Sequence, residues 1–110
     1  MAESPVFYQK LMTAQSVIET AVVVGPGRVS RVREIALYVV FGAGTTAGAV
    51  VLEAAPDAAY TGTWANLATV SWSAATKVGL AQASGVHLAV RARISTGIVG
   101  GTVDVHLVGN

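Results

Sequence analysis

The strongest constraint in this chain is a side-chain alternation with a period of two. In Val86-His87-Leu88-Ala89-Val90-Arg91-Ala92-Arg93-Ile94, the residues Val86, Leu88, Val90, Ala92 and Ile94 share one face, and His87, Arg91 and Arg93 share the other. Thr102-Val103-Asp104-Val105-His106-Leu107 repeats the pattern with Val103, Val105 and Leu107. Successive side chains of a strand point to opposite faces of its sheet, so this period describes strands with one face in a core. Between the two runs, Gly97, Gly100 and Gly101 supply the backbone freedom of a tight turn. The expectation is a hairpin with Ile94 opposite Val103 and Ala92 opposite Val105. That register also sets Arg93 opposite Asp104 and Arg91 opposite His106. A slip by one residue would put Arg93 beside Val103, so the pattern itself selects the pairing.

Upstream, Ser16–Val24 is rich in Val and Ile and stops at Gly25-Pro26-Gly27. Val29–Phe41 reads as a long strand with Ile35, Leu37, Val39 and Phe41 on one side, ended by Gly42-Ala43-Gly44. Ala47–Ala54 is another, closed by Ala55-Pro56-Asp57, and Trp64–Trp72 alternates again. Thr76–Ala83 fits a short strand or a loop. The 19 alanines would favour helix by themselves, but they are interleaved with 19 valines and with Thr and Gly, which disfavour it. Only Val6–Gln15 leaves room for a helical turn, and it reads equally as an extended arm. The fold class is therefore all-β, a β-sandwich or jelly roll of six to eight antiparallel strands with an extended N-terminal arm. Residues 1–15 form the arm, and 16–110 form one domain.

Composition narrows the function. The chain is 110 residues long, enough for one core, with 53% hydrophobic and only 12% charged residues. Typical soluble domains carry roughly 25% charge. So much apolar content argues against disorder, and so little charge implies a surface covered by partners. A net charge of +1 gives no electrostatic footprint for nucleic acid. The absence of cysteine excludes a disulfide framework and thiol chemistry. The uncharged stretches Ile35–Leu52 and Ala58–Thr76 approach the length of a membrane span. Their glycines and hydroxyl residues instead read as strand, turn, strand. Met1–Lys10 has no apolar signal-peptide core. The expectation is a soluble protein without nucleic-acid or membrane partners.

Several constellations invite chemistry and fall short of it. Gly42-Ala43-Gly44-Thr45-Thr46-Ala47-Gly48 has the flavour of a dinucleotide-binding turn, but it lacks the following helix and reads as a hairpin loop. His106, Asp104 and Ser95 or Ser84 supply the residue types of a hydrolase trio without a nucleophile elbow or an oxyanion motif. His87 and His106 could ligand a metal only beside Arg91 and Arg93, which would repel it. No catalytic residue, cofactor or metal is assigned, and the chain is read as a non-enzyme. Tyr60, Trp64 and Trp72 could stack on sugar rings, although Trp64 fits better as a core filler among small residues. Arg28, Arg31, Arg33, Arg91 and Arg93 form a basic stripe suited to protein contacts, since guanidinium groups pair bidentately with carboxylates.

Val50-Val51-Leu52-Glu53-Ala54-Ala55-Pro56-Asp57, Thr61-Gly62-Thr63-Trp64-Ala65-Asn66-Leu67-Ala68-Thr69-Val70 and Leu88 through Leu107 together resemble small β-sandwich structural proteins of tailed-phage virions. Among these, the capsid decoration, cement or staple proteins of short-tailed phages are similar in length and have a jelly-roll fold. The resemblance is one of pattern and covers roughly the last two thirds of the chain. It implies a virion protein on the outer capsid surface, assembled in the host cytoplasm. Such a protein would bridge neighbouring major capsid subunits and stabilise the shell, as a homo-oligomer (dimer or trimer). Val6, Phe7, Tyr8, Leu11 and Met12 are then expected to anchor the arm on a neighbour, with Arg91 and Arg93 as polar contacts. The alternative is a carbohydrate-binding or tail-associated adhesion module.

Overall fold

The structure, a computed structural model, describes residues 7–25, 33–74, 77–85 and 87–110. Eight strands run in the order β1 (Phe7–Gln15), β2 (Ala21–Val24), β3 (Glu34–Phe41), β4 (Ala47–Ala55), β5 (Ala65–Ser71), β6 (Val78–Ser84), β7 (Ala89–Val99) and β8 (Val103–Gly109). No helix occurs among the described residues. Sheet 1 has the order β1-β8-β3-β6, sheet 2 has β2-β7-β4-β5, and every pairing is antiparallel.

One core serves both sheets. Ile35, Leu37, Val39 and Phe41 of β3 and Val103, Val105 and Leu107 of β8 enter it from sheet 1. Val50 and Leu52 of β4 and Val90, Ala92 and Ile94 of β7 enter it from sheet 2. The alternation in the sequence therefore identifies the buried faces of these strands. Leu88 breaks the pattern: it precedes the first residue of β7 and is 53% exposed. Val86, Arg28 and Arg31 lie outside the described residues.

The expected hairpin does not form. β7 pairs with β2 and β4, β8 pairs with β1 and β3, and the two strands belong to different sheets. Ile94 and Val103 share the core from opposite sides. Alternation reports which face of a strand is buried and is silent about its neighbour, so two strands facing each other across a core read like two lying side by side. The local reason is a corner. β7 continues to Val99, and Gly100, with φ +82°, turns the chain from sheet 2 into sheet 1. The β3–β4 link makes the reverse passage beside it, through Gly44 with φ +89°. The Gly42 amide donates to the Thr102 carbonyl at 2.7 Å, and the Thr46 amide to the Val99 carbonyl at 2.8 Å, binding the two corners together. A Cβ on Gly44 would stand 2.7 Å from the Gly100 carbonyl oxygen, so the contact requires glycine there. The glycine-rich 42–48 segment is thus a passage between sheets rather than a hairpin loop.

The arm is also revised. Residues 7–15 are β1, an edge strand of sheet 1 hydrogen-bonded along β8. Leu11 and Met12 are buried in the core, two consecutive residues made possible by a register shift between Lys10 and Met12. Buried side chains of their own domain cannot anchor the chain on a neighbour.

Candidate protein-interaction site

The outer faces of the two sheets are built differently. On sheet 2, the residues of β7 that alternate with Val90, Ala92 and Ile94 are Arg91 and Arg93. Register places Glu53 of β4 opposite Arg91. Arg91 Nε donates to Glu53 Oε1 at 2.8 Å. Arg93 donates from Nε to Oε1 at 3.1 Å, from Nη2 to Oε2 at 3.0 Å, and from Nη1 to Glu19 Oε1 at 2.8 Å. Glu53 is only 5% exposed. Burial opposes its ionisation, but the hydrogen bonds from Arg93 and Arg91 outweigh this and hold its carboxyl below the usual range. The hydrogen bond to Glu53 likewise raises the affinity of Arg93 for its proton. The Arg91 guanidinium also lies 4.5 Å above the Trp64 ring, whose Nε1 donates to the Tyr60 carbonyl at 3.1 Å. Trp64 is buried as expected, but under Arg91 on the outer side of sheet 2 rather than in the shared core.

This arrangement overturns the expected partners of the arginines. Asp104 accepts from the Ala14 amide at 2.8 Å and pairs with Lys10 at 3.3 Å. That amide hydrogen bond lowers the Asp104 carboxyl below its ordinary value, against a smaller opposing effect of burial and with help from Lys10. Arg91 and Arg93 have their carboxylate inside their own sheet and are drawn into its structure.

Sheet 1 leaves its outer face bare. Register places Lys10, His106, Tyr38 and Leu80 in one row across β1, β8, β3 and β6. The next row is Tyr8, Val108, Ala36 and Gln82. On the other side of the first, Asp104, Val40 and Val78 form a third. Tyr8 is 56% exposed and Leu80 52%, with Tyr38, Val40 and Val78 also open to solvent. The polar groups on this face are largely paired with one another. The Tyr8 hydroxyl and His106 Nδ1 share a 2.6 Å hydrogen bond, the two rings stack 5.8 Å apart, and Lys10 neutralises Asp104. A groove of about 400 Å³ opens at the end of this sheet, between Glu34, Ser84 and Asn110.

Of the expected partner-binding residues, only Tyr8 stands on this open face. Val6 lies outside the described residues, and Phe7 contributes its backbone to β1 opposite Gly109. Leu11 and Met12 are in the core, and Arg91 and Arg93 are on the other sheet. Sequence reasoning misses Tyr38, Leu80, Val40 and Val78. Tyr38 and Val40 are visible as large residues at the outward positions of β3, the signal that an outer face is not simply solvated. The hydrolase trio is not assembled: Ser95 stands on sheet 2, Ser84 pairs with Glu34 two rows away from His106 on sheet 1, His106 bonds Tyr8 and Asp104 bonds Ala14. The sugar platform is not assembled either: Trp64 is covered by Arg91, and Trp72 packs partly buried against the core. Among the described residues, no group of three or more His, Asp or Glu is placed to hold a metal.

No family model matches the chain, and comparison with curated proteins finds no match. Solved structures do match. The chain is similar in fold to a prophage-derived protein. The crystal structure of SPBc2 prophage-derived protein YomS superposes with a TM-score of 0.63 at 15% identity, covering 100% of this chain and 98% of that one. A subunit of the Bacillus endospore appendages, described as a novel family of disulfide-linked pili, superposes with a TM-score of 0.50 at 13% identity. That match covers 99% of this chain and 91% of the other. At such identities the likeness is one of fold.

Proposed function

We propose that this chain is a structural protein of a phage particle, a capsid decoration protein that binds major capsid subunits on the outer surface and holds neighbours together. The observation that carries the reading is the bare outer face of sheet 1. A row of His106, Tyr38 and Leu80, flanked by Val40, Val78 and Tyr8, is what a protein contact uses: aromatic and aliphatic surface with few unpaired charges. Its work is adhesion, with no reaction to catalyse. Binding across a subunit boundary stabilises the assembled shell because the separated subunits lack the composite site. The strand orders β1-β8-β3-β6 and β2-β7-β4-β5 support reading the two sheets as a jelly-roll sandwich. The end-to-end fold likeness to a prophage-derived protein supports the phage setting, and the likeness to a pilus subunit supports a role in assembly. Without cysteine, cohesion in this case uses no disulfide.

The test is sedimentation with purified shells. The wild-type protein should co-sediment at a fixed number of copies per particle and raise the temperature at which the shell opens. A Leu80→Lys variant, folded by circular dichroism, should do neither. Failure of the wild type to bind shells at any ratio would overturn the decoration reading.

A further inference from the structure

We infer that the outer face of sheet 1 is a two-fold interface between two copies of this chain. The inference rests on the reading above that this face is the assembly surface, and it names the first occupant. The relief of this face is self-complementary. His106, Tyr38 and Leu80 form a ridge running across the strands, while in the adjacent row Val108 and Ala36 form the floor of a shallow furrow. Rows on one face of a strand are two residues apart, about 7 Å. A two-fold axis lying in the interface, parallel to the rows and midway between ridge and furrow, turns one copy over onto the other. Each ridge then enters the partner's furrow, and Tyr38 of each copy faces Ala36 of the other. Such an isologous contact demands a self-complementary patch.

Charge agrees with this. An isologous contact near its axis brings a patch against its own image, so an unpaired charge there would meet itself. The ridge and furrow between β8 and β6 carry no acidic or basic side chain apart from the imidazole of His106. Of the ionised groups that border them, Lys10 and Asp104 already neutralise each other, and Glu34, exposed one row beyond Ala36, falls toward the rim of the contact, where its carboxylate can stay in water. The Tyr8–His106 hydrogen bond also survives covering, which removes part of the penalty of taking those groups out of water. Size agrees as well. The molecule is a slab of 39 × 37 × 18 Å. A standard stable interface uses roughly 800 Å² per partner, so little more than half of one broad face has to be covered. The decorating unit is then a dimer whose assembly on this face precedes shell binding, so Leu80→Lys acts on both.

The experiment measures the mass of the full chain in solution by sedimentation velocity over a dilution series, with folding checked by circular dichroism. The wild type should be a dimer. Ala36→Lys and Tyr38→Glu should each weaken association by about 30-fold or more, as expected for central positions. Because residue 36 of one copy faces residue 38 of the other, the double variant should recover the dimer. A wild type that stays monomeric up to about 100 μM, a concentration at which even weak specific homodimers form, overturns the two-fold. A dimer indifferent to both single variants, or a double variant that gains nothing, also overturns it. Shell binding separates the two claims. If the monomer still binds shells and Leu80→Lys abolishes that, the assembly surface stands and only the second copy is wrong. If shell binding also ignores Leu80→Lys, both fall.

Discussion

The two outer faces begin from the same problem and solve it in opposite ways. Each sheet of this protein turns one side to a shared core and must do something with the other. Sheet 2 closes the middle of its outer side from within and leaves Val23 open at its β2 edge: Glu53 sits under two guanidinium groups, and Arg91 roofs Trp64. Sheet 1 leaves Tyr8, Tyr38, Val40, Val78 and Leu80 uncovered. A face that supplies its own cover contributes to the stability of the domain. A face left without one contributes mainly to what the domain can hold. Substitutions on sheet 2 should therefore appear in folding, and substitutions on sheet 1 in association.

On the outer faces, the largest effect is expected at Glu53. Glu53→Ala leaves Arg91 without a carboxylate and Arg93 with only the exposed Glu19. Removing one partner of a buried ion pair costs about 3–5 kcal/mol. The arginine side chains keep 24% and 21% of their surface in water, so they can partly rehydrate, and the low end is expected. Urea denaturation of the monomer at neutral pH should show a loss of about 3 kcal/mol. A loss below about 0.5 kcal/mol, the level of ordinary surface substitutions, would mean that the network covers nothing and that the two faces are alike.

The arginines should rank below their shared carboxylate and differ from each other. Arg93 makes two hydrogen bonds to Glu53 and one to Glu19, whereas Arg91 makes one to Glu53 and covers Trp64. Arg93→Ala should cost about 2 kcal/mol, since hydrogen bonds between charged groups each contribute more than neutral ones. Arg91→Ala should cost somewhat less, yet it should shift tryptophan fluorescence to the red by exposing Trp64. Arg93→Ala should leave the emission nearly unchanged. The reverse pattern would place the cover over Trp64 elsewhere.

Acid should act on the same network. The Glu53 carboxyl is held below its ordinary value in the folded protein, so its stabilisation is complete above the unfolded carboxylate pKa and is lost as pH falls through the lowered folded value. Asp104, lowered by the Ala14 amide, contributes with the same sign. Urea midpoints should be level near neutrality and fall below about pH 4.3, where free glutamate protonates. Glu53→Gln should flatten that fall more than Asp104→Asn, because Asp104 is far more open to solvent. Equal flattening would make the edge pair of sheet 1 as important as the network on sheet 2.

What can be read from the residues follows the same physics. Burying one face of a strand imposes alternation, so Leu37, Val39, Val105 and Leu107 are identifiable from their spacing alone, as is the all-β class. Neighbour choice leaves no such trace. The β7–β8 hairpin is a sound inference from parity and glycine, and it fails because the same parity serves strands that meet across a core. The arginine partners fail with it: register assigns Arg93 to Asp104, and the true acceptor, Glu53, lies 40 residues away on β4. Glu53 is still conspicuous as a lone carboxylate in an apolar strand. Leu11 and Met12 are hidden because the register shift after Lys10 breaks the alternation that would have marked β1. The open face is half legible. Tyr38 and Val40 sit at outward positions of β3, but Leu80 joins them only once β6 is a strand paired to β3.

The smallest expected effect is the sharpest test of the comparison. Leu80→Ala removes an exposed side chain from the ridge of sheet 1, and its counterpart, Leu52→Ala, removes a fully buried one from the inner face of sheet 2. The buried truncation should cost about 2–5 kcal/mol through lost burial and an unfilled cavity. The exposed one should stay within about 0.5 kcal/mol, because Leu80 has little folded-state contact to lose. Both should be read from urea unfolding at concentrations low enough that no association contributes. If Leu80→Ala instead destabilises the isolated monomer by more than about 1 kcal/mol, beyond the ordinary surface range, the ridge is holding its own domain together. Sheet 1 would then have a cover of its own, and the contrast between the two faces would disappear.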